Sequence, residues 1–239
     1  MVSSTARRPR RRDLLLGAGA ALASSNALAQ PAAPRAQTWR FNNLEALAGL
    51  RPEVLGAPAF TAGPFGRALA FDGMDDGLVL PHHPLAGARA FTIEAIVRPD
   101  GGRFEQRWLH LAEEPALPAS ADVSGGTRML FEVRVTDAGW YLDAFIKGPG
   151  YNQTLIAPEK VHPLGRWCHV AQVCDGRRYA SFVNGELQAE AQVAFTAQGP
   201  GRTSVGVRMN RVDWFRGGLA VARFTPRALK PAQFTMTRA

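Results

Sequence analysis

The segment Gly66–Pro81, GRALAFDGMDDGLVLP, contains two short alternating stretches separated by a turn with the dipeptide Asp72-Gly73. Two further segments have the same design. Trp167–Gly176 (WCHVAQVCDG) ends in Asp-Gly, and Ser181–Gly185 (SFVNG) ends in Asn-Gly. Such dipeptides beside alternating hydrophobic residues are the strongest local signal for a β-hairpin. We therefore predict short antiparallel strands at all three places.

The same alternation recurs along the chain, with Thr38–Asn42 typical of an edge strand. Further strands are predicted at Ala68–Phe71, Leu78–Leu80, Phe91–Arg98, Arg107–Leu111, Met129–Val135, Trp140–Ile146, Cys168–Cys174, Tyr179–Val183, Thr203–Val207 and Leu219–Phe224. Many short strands without a long helical period predict an all-β fold, in which two antiparallel sheets form a β-sandwich. We expect residues 38–239 to form one such domain.

Five sequence elements, in this order, resemble laminin-G-like domains of the concanavalin A-like lectin/glucanase superfamily. They are Gly66–Asp76, Phe91–Pro99 (FTIEAIVRP), Trp167–Gly176, Val183–Gly185 (VNG) and Arg227–Leu229 (RAL). The resemblance implies a concanavalin A-like jelly roll, in which the outward side chains of one concave sheet meet the ligand. It does not select a function, because this superfamily includes lectins, glycan-cleaving enzymes and adhesion modules.

The first 29 residues have the three-part pattern of an export signal. A basic head, Arg7–Arg12, precedes the apolar run Leu14–Ala23 and the small-residue cleavage site Ala27–Ala29. Arg11–Leu15 (RRDLL) resembles the twin-arginine motif, and an ordinary Sec signal with an unusually basic head is the alternative. No segment reaches the roughly 20 apolar residues of a membrane span. We predict a twin-arginine signal peptide at residues 1–29, a flexible leader at 30–37, and a periplasmic or secreted bacterial product.

The net charge of the chain limits the classes of ligand that it is expected to bind. Removing the five Arg and the one Asp of the signal lowers the formal net charge from +8 to +4. A mildly basic surface is compatible with an acidic glycan but does not require one. An exported chain without a basic helix or a dense basic tract is not expected to bind nucleic acid.

The two cysteines are predicted to be free. Cys168 and Cys174 lie six residues apart on one predicted strand, which separates them by roughly 20 Å. A disulfide tolerates only about 7 Å between Cα atoms. The spacing places both thiols on one face of the strand, where we expect them to be buried.

Alternation along two neighbouring strands collects polar side chains on one face of a sheet. The tight turn Asp137–Gly139 joins these strands, so their polar sides should be adjacent. The predicted patch consists of Glu132, Arg134, Tyr141, Asp143 and Lys147, with Arg107 or His110 of a neighbouring strand and His169 as further members. Arg and Asp offer directional hydrogen bonds, and Tyr offers an apolar platform, which suits a saccharide. A solvated sheet face with cross-strand ion pairs is the alternative explanation.

A second candidate binding region is the segment Arg208–Phe215, RMNRVDWF, which precedes the last predicted strand. Its polar and aromatic residues combine hydrogen-bond donors with an aromatic plate: Arg208, Asn210, Arg211, Asp213 and Trp214. We assign Arg208, Asn210 and Trp214 to ligand binding, and packing of Trp214 onto the core is the alternative. Phe215 is expected to fold back onto the core, as large aromatic residues usually do.

Catalysis is a weaker hypothesis than binding. Glycosidases use two carboxyl groups about 5–9 Å apart, which Glu132 and Asp143 on facing strands could supply. The laminarinase-type pattern E-x-D-x-x-E of this superfamily is absent. Tyr151, in Lys147–Gln153 (KGPGYNQ), resembles the catalytic element of the alginate-lyase branch, but it lies at a different place in the chain. We predict no catalytic residue, and Glu132, Asp143 and Tyr151 are the candidates if the protein is an enzyme.

One turn is rich in carboxylates. Asp72, Asp75 and Asp76 lie within five residues, and hard oxygen ligands suit a structural Ca²⁺. The alternative is that Asp72 caps the turn by hydrogen bonding. No other cofactor is predicted.

These observations predict an exported, lectin-like domain that binds a polysaccharide or glycan, with an anionic polymer among the candidates. A polysaccharide lyase or glycoside hydrolase is the second hypothesis. An adhesion or scaffold module that binds protein is the third. The sequence does not define the oligomeric state.

Overall fold

The computed structural model of the chain describes residues 1–3, 34–114 and 126–235. The predicted signal from residue 4 onward, the first half of the leader (30–33) and the last residues, 236–239, therefore lie outside the described residues. Fifteen strands and a short 3₁₀ helix, Pro231–Gln233, occur in the described part. The strands are β1 (Gln37–Arg40), β2 (Glu53–Leu55), β3 (Ala59–Gly63), β4 (Gly66–Asp72), β5 (Gly77–Leu80), β6 (Phe91–Pro99), β7 (Glu105–Glu113), β8 (Arg128–Thr136), β9 (Gly139–Gly148), β10 (Tyr151–Ile156), β11 (Cys168–Cys174), β12 (Arg178–Val183), β13 (Glu186–Gln192), β14 (Gly201–Val205) and β15 (Arg216–Thr225).

The strands form two antiparallel sheets. The eight-stranded sheet has the order β13-β12-β11-β6-β15-β4-β3, and β1 pairs with the C-terminal part of β15. The seven-stranded sheet has the order β10-β9-β8-β7-β14-β5-β2. The predicted all-β, two-sheet antiparallel sandwich is confirmed.

The core lies between the two sheets because each strand turns its apolar alternate residues inward. Phe131 of β8 and Trp140 of β9 are fully buried in the same cluster as Trp39 of β1 and Phe224 of β15. The rings of Trp39 and Phe224 lie 4.7 Å apart, which ties the edge of one sheet to its centre. A rigid core of this size holds the backbones of β7, β8 and β9 in place, so their outward side chains are held in fixed relative positions.

The hairpin turns follow the predicted chemistry. Asn184 and Gly185 between β12 and β13 have φ values of 51° and 83°, the left-handed conformation that a two-residue type I′ turn requires. In the turn after β4, Asp72 Oδ1 accepts a hydrogen bond of 2.8 Å from the Met74 amide. The Asn-Gly and Asp-Gly signals therefore place these turns correctly.

Cys168 and Cys174 are free thiols on β11, as predicted. Both contact the core between the sheets, Cys174 from within it and Cys168 from its border. Burial raises the pKa of Cys168 to about 12 and that of Cys174 to about 11. Because the thiolate is the reactive form, both thiols should be inert in the folded protein.

We expect a neutral thiol reagent to label neither cysteine at pH 8 in the native protein and to label both in concentrated guanidinium chloride. Mass spectrometry of the treated protein measures this directly. Rapid native labelling of Cys174 would contradict its burial, and a disulfide between the two cysteines would contradict the strand geometry.

Among the described residues, no helix is long and apolar enough to span a bilayer.

Candidate functional site

The outward face of β7, β8 and β9 carries the most polar side chains of the seven-stranded sheet, and we call it the polar face. Glu132 of β8 is directly opposite Asp143 of β9 and Arg107 of β7, so the three side chains point to the same side. The intervening residues Phe131 and Val133 point into the core. The register therefore confirms the prediction that the polar sides of β8 and β9 are adjacent.

A bulge in β7 places on this face two side chains, Arg107 and His110, that strict alternation would put on opposite faces. The register shifts between Arg107 and Leu109, and Trp108 occupies the extra position with its ring in the core. Arg107 pairs opposite Glu132, and His110 pairs opposite Leu130, so both point outward. The sequence predicted Arg107 or His110 in the patch, and the bulge places both there.

Arginines and carboxylates alternate along one end of the polar face. The Arg107 guanidinium contacts the carboxyl group of Glu132, and it forms ion pairs with Asp213 Oδ2 at 2.6 Å and with Glu105 Oε2 at 3.0 Å. Arg134 holds Asp143 Oδ2 through Nε at 2.8 Å and through a terminal nitrogen at 2.7 Å, and it also pairs with Glu105. We call this set the carboxylate–arginine network: Glu105, Arg107, Glu132, Arg134, Asp143 and Asp213.

Two carboxyl groups of the network, those of Glu132 and Asp143, are deeply buried. Glu132 is 3% exposed and Asp143 is 0% exposed. Burial, and then the charge of Asp143, raise the pKa of Glu132 to about 8. Burial also raises the pKa of Asp143, but Arg134 opposes this shift. Burial therefore favours the protonated form of Glu132 at neutral pH, whereas Arg134 favours the charged form of Asp143.

The exposed aromatic platform of this end is Phe104, which the sequence analysis did not identify. Its ring is 51% exposed, whereas Tyr141 is only 7% exposed. The two rings meet edge to face, with centroids 6.5 Å apart, and the Arg134 guanidinium lies 5.4 Å from the centre of the Phe104 ring. The Phe104 carbonyl accepts a 2.9 Å hydrogen bond from Val135, which fixes the loop. The sequence offers one indication of this platform, since Phe104 is a hydrophobic residue between the Asp100–Gly102 turn and a polar strand.

The other end of the polar face is basic. Arg128 of β8 is directly opposite Lys147 of β9, and its guanidinium lies 4.8 Å from the centre of the Phe145 ring. His110 Nδ1 accepts a 3.0 Å hydrogen bond from the Met209 amide, which brings the neighbouring residue Arg208 to this end. We call His110, Arg128, Lys147 and Arg208 the basic end.

The segment 208–215 contributes its residues unequally. Arg208 and Trp214 are half-buried and Asn210 is exposed. The Trp214 ring lies close to Gly77 of β5, where an added Cβ would be 3.4 Å away. Phe215 is fully buried in the core, as predicted. The segment's main link to the polar face is Asp213, through its ion pair with Arg107.

The prediction that His169 joins the patch is wrong. His169 lies on β11, which belongs to the eight-stranded sheet. Its Nε2 lies 3.2 Å from Glu94 Oε1, and its ring contacts Phe234 at 5.3 Å between centroids. Alternation assigns a side chain to a face of its own strand, but it does not tell which sheet the strand joins.

The structure also corrects Tyr151. Its ring is 6% exposed in the core and lies 5.3 Å from the Phe195 ring. Its hydroxyl donates to the Thr196 carbonyl at 3.3 Å and accepts from Gln198 Nε2 at 3.1 Å. Tyr151 therefore faces away from the polar face and is not available there as an acid, a base or a stacking platform.

The three aspartates of the β4–β5 turn form a cluster, with carboxylate oxygens within 4.8 Å of one another. Asp72 accepts the hydrogen bond from the Met74 amide that is described above. Asp76 accepts two more from backbone amides: its Oδ1 accepts from Ala57 at 2.8 Å, and its Oδ2 accepts from Asp72 at 3.0 Å. Burial, with the charges of Asp72 and Asp75 adding to it, raises the pKa of Asp76. These hydrogen bonds make the carboxylates of Asp72 and Asp76 a cap of the turn, as the alternative explanation from the sequence expects.

Comparison with known proteins gives a family match. Residues 72–234 match a laminin-G-type family model described as the concanavalin A-like lectin/glucanases superfamily. A search of curated proteins finds no match.

Several solved structures share the fold at low sequence identity. Domain 4 of AbnA, a GH43 extracellular arabinanase from Geobacillus stearothermophilus solved with arabinotriose, has a TM-score of 0.60 and 19% identity, over 83% of this chain and 97% of that chain. The CBM40 of the Ruminococcus gnavus IT-sialidase, bound to α2,3-sialyllactose, has a TM-score of 0.51 and 16% identity, over 75% and 95%. A Trypanosoma rangeli sialidase has a TM-score of 0.56 and 14% identity, over 82% of this chain but only 31% of that chain.

Proposed function

The chain belongs to the concanavalin A-like lectin/glucanases superfamily, and we propose on that basis that it is an exported domain that binds a polysaccharide across the polar face. Two structural neighbours support this proposal, since one was solved with arabinotriose and the other with sialyllactose. The pattern of residues 1–29 supports export to the periplasm or the medium.

The observation that carries the proposal is the pairing of Phe104 with Arg134. An exposed aromatic ring offers a flat apolar surface for the C–H face of a sugar, and polar groups beside it can hydrogen-bond the sugar's hydroxyls. Here the polar groups are Arg134 and Glu105, whose carboxylate is about half exposed at 45%. Both kinds of surface therefore lie side by side at the network end of the polar face.

The buried partners of Arg134 orient it in advance. Asp143 holds the guanidinium through two nitrogens from below, which leaves its outer side toward Phe104 and the solvent. A side chain fixed in this way loses little conformational entropy when a ligand binds. Binding is non-covalent in this arrangement.

Substituting Phe104 by Ala should lower the affinity for the polysaccharide about tenfold, because an aromatic contact contributes roughly 1–1.5 kcal/mol. The measurement is native affinity electrophoresis through gels that contain single neutral or anionic polysaccharides. Phe60→Ala is the matched control, since Phe60 is also exposed, at 41%, and also lies beside an arginine, with Arg67 4.2 Å from its ring centre.

An unchanged mobility of Phe104→Ala in a gel that retards the wild type would place the binding site elsewhere. Equal effects of Phe104→Ala and Phe60→Ala would do the same. If no polysaccharide retards the wild-type protein, carbohydrate binding is wrong, and an adhesion role with a protein ligand becomes the next hypothesis.

A glycoside hydrolase is the second candidate, and one observation favours it. Burial raises the pKa of Glu132 to about 8 beside Asp143, and a general acid must hold its proton at neutral pH. Against this, both carboxyl groups are buried against arginines, and they interact directly with each other rather than flanking a bond. Time-dependent shortening of a bound polymer that Glu132→Gln abolishes would establish the hydrolase.

A further inference from the structure

A cavity of about 220 Å³ opens on the outward face of the eight-stranded sheet, on the opposite side of the sandwich from the polar face. We call it the outer cavity, and its lining consists of Thr38 and Arg40 of β1, Val221 and Arg223 of β15, Phe65 and Thr235. Trp39 and Ala222, which alternate with the strand residues of the lining, point into the core. The volume corresponds to about seven water molecules at roughly 30 Å³ each, which is the room that one sugar residue needs.

The pairing of β1 with β15 brings two arginines to this cavity. Thr38 is directly opposite Arg223, and Arg40 is directly opposite Val221. Arg40 and Arg223 are therefore diagonal neighbours on one side of the sheet, with Cα atoms roughly 7–8 Å apart, and long side chains interact at that spacing. Both arginines line the same cavity, so a ligand inside it can contact both.

The donors of these arginines are unused and accessible. Within the described part of the chain, neither Arg40 nor Arg223 forms an ion pair or a side-chain hydrogen bond. Nε is the buried nitrogen of the Arg223 guanidinium, and the two terminal nitrogens are not closed off from solvent. Arg40 is exposed. A ligand that enters the outer cavity therefore meets charged N–H groups that have no other acceptor.

The carboxylate that faces Arg223 is already engaged. Glu94 of β6 is directly opposite Arg223 and is 0% exposed. Its Oε1 accepts a 2.8 Å hydrogen bond from the Thr235 amide and lies 3.2 Å from His169 Nε2, and its Oε2 accepts a 3.1 Å bond from the Thr235 hydroxyl. These contacts fix Thr235 at the cavity wall. None of the lining residues that the structure describes is acidic, so the lining is positively charged.

An apolar surface completes the outer cavity. Phe65, in the turn between β3 and β4, is 47% exposed, and Val221 is buried at 3%. An exposed aromatic ring suits the C–H face of a sugar, and a guanidinium fork matches the geometry of a carboxylate. An inorganic anion would leave the ring of Phe65 uncovered, and a neutral sugar would leave both arginine charges unmatched. A sugar that carries a carboxylate complements both parts of the lining.

We propose that the outer cavity binds an acidic sugar residue, with its carboxylate at Arg40 and Arg223 and its ring against Phe65. This inference goes beyond the proposed function, because it adds a second ligand site on the opposite side of the sandwich. It rests on the proposed function only for the choice of a sugar as the ligand. With a site on each face, one domain can hold two glycan segments at once.

The test is an NMR titration of the isotope-labelled full-length chain at about 0.15 M salt, where distant charges are screened. The probes are trigalacturonate, the α-linked galactotriose that lacks its carboxyl groups, and acetate, which is a carboxylate without a sugar. The backbone amides of Thr38 and Arg223 report on the outer cavity, and those of Phe104 and Arg134 report on the polar face. We expect trigalacturonate to shift the first pair with a dissociation constant at least tenfold lower than that of galactotriose or acetate.

Arg223→Gln should weaken trigalacturonate binding at the outer cavity about tenfold, because a charge-assisted contact is lost. Arg40→Gln should show the same loss, and it keeps the proposal testable because an exposed side chain is not needed for folding. Arg178→Gln is the matched control: it removes one charge from the same sheet, on β12, which β11 and β6 separate from β15. Its side chain is 48% exposed and paired with Glu190, and we expect no change in binding.

Equal losses in Arg223→Gln and Arg178→Gln would overturn the inference, since they would indicate only a basic surface attracting an anion. Acetate binding as tight as that of trigalacturonate would overturn the assignment to a sugar. Shifts confined to Phe104 and Arg134, or no shifts at all, would overturn the outer cavity as a binding site. The proposed function has its own test in Phe104→Ala, and its failure would leave the shifts at Thr38 and Arg223 unchanged.

Discussion

Replacing Asp143 by Asn is expected to lower the midpoint of thermal unfolding by roughly 10 °C at pH 7. Asp143 is fully buried, and its Oδ2 holds Arg134 through two nitrogens. Removing one partner of a buried ion pair leaves an uncompensated charge and costs about 3–5 kcal/mol. For a chain of this size, each kcal/mol shifts the midpoint by about 2–4 °C.

We expect the cost to be near the lower end of the range of 3–5 kcal/mol, about 3 kcal/mol, because a change in the ionisation of Glu132 can compensate in part. The charge of Asp143 is one of the causes that raise the pKa of Glu132. Without that charge, Glu132 can ionise near Arg107 and Arg134 and restore part of the balance. Circular dichroism melting curves of the wild type and of Asp143→Asn measure the difference.

Glu132→Gln is the informative comparison, since it changes a neighbouring carboxyl group that is already neutral at pH 7. Glutamine has the same shape and can still accept a hydrogen bond from Arg107, so the cost should stay below about 1 kcal/mol. Glu53→Gln, on the exposed edge strand β2 of the same sheet, should be neutral. Equal destabilisation by Asp143→Asn and Glu132→Gln would show that the charge is not localised on Asp143.

The strands that the sequence does not predict share one physical property. Alternation misses β2, β3, β10 and β13, and these are the four ends of the two strand orders. An edge strand has a neighbour on one side only and buries less apolar surface, so polar residues such as those of Glu186–Gln192 are tolerated. The central strands bury one whole face and therefore show the period-two pattern.

The candidate site was predictable where it depends on local pattern. The pairing of Glu132 with Asp143 follows from two alternating strands joined by a tight turn, and the register confirms it. Sheet membership is a long-range property, which is why His169 was misplaced. The bulge at Trp108 and the position of the Phe104 loop depend on how the core closes, and no local pattern encodes either.

The second large effect is a fall in stability of the wild type between pH 6.5 and 8. The pKa of Glu132 is raised from its ordinary 4.5 to about 8 in the folded chain. Between these values the unfolded chain releases a proton that the folded chain retains, so stability is complete below pH 4.5 and is lost as the pH rises toward 8. One proton corresponds to about 1.4 kcal/mol per pH unit, hence roughly 2 kcal/mol over this window.

The buried histidines oppose this fall at the lower end of the pH window, and they do so equally in the wild type and in Glu132→Gln. Burial lowers the pKa of His83 to about 4 and that of His110 well below 6.5. Lowered histidine pKa values act with the opposite sign, so stability rises with pH until the unfolded histidines lose their protons near 6.5. The thiols of Cys168 and Cys174, ordinarily near 9, contribute only above the window.

Glu132→Gln should remove the fall, because glutamine has no proton to release. We expect the wild-type melting midpoint to fall by roughly 5 °C relative to that of Glu132→Gln between pH 6.5 and 8, because the histidines affect both proteins equally. The two curves should therefore meet near pH 6 and separate steadily above it. Parallel curves would mean that Glu132 is ionised in the folded protein, and the general-acid argument for a hydrolase would then lose its only support, while binding through Phe104 and Arg134 would be unaffected.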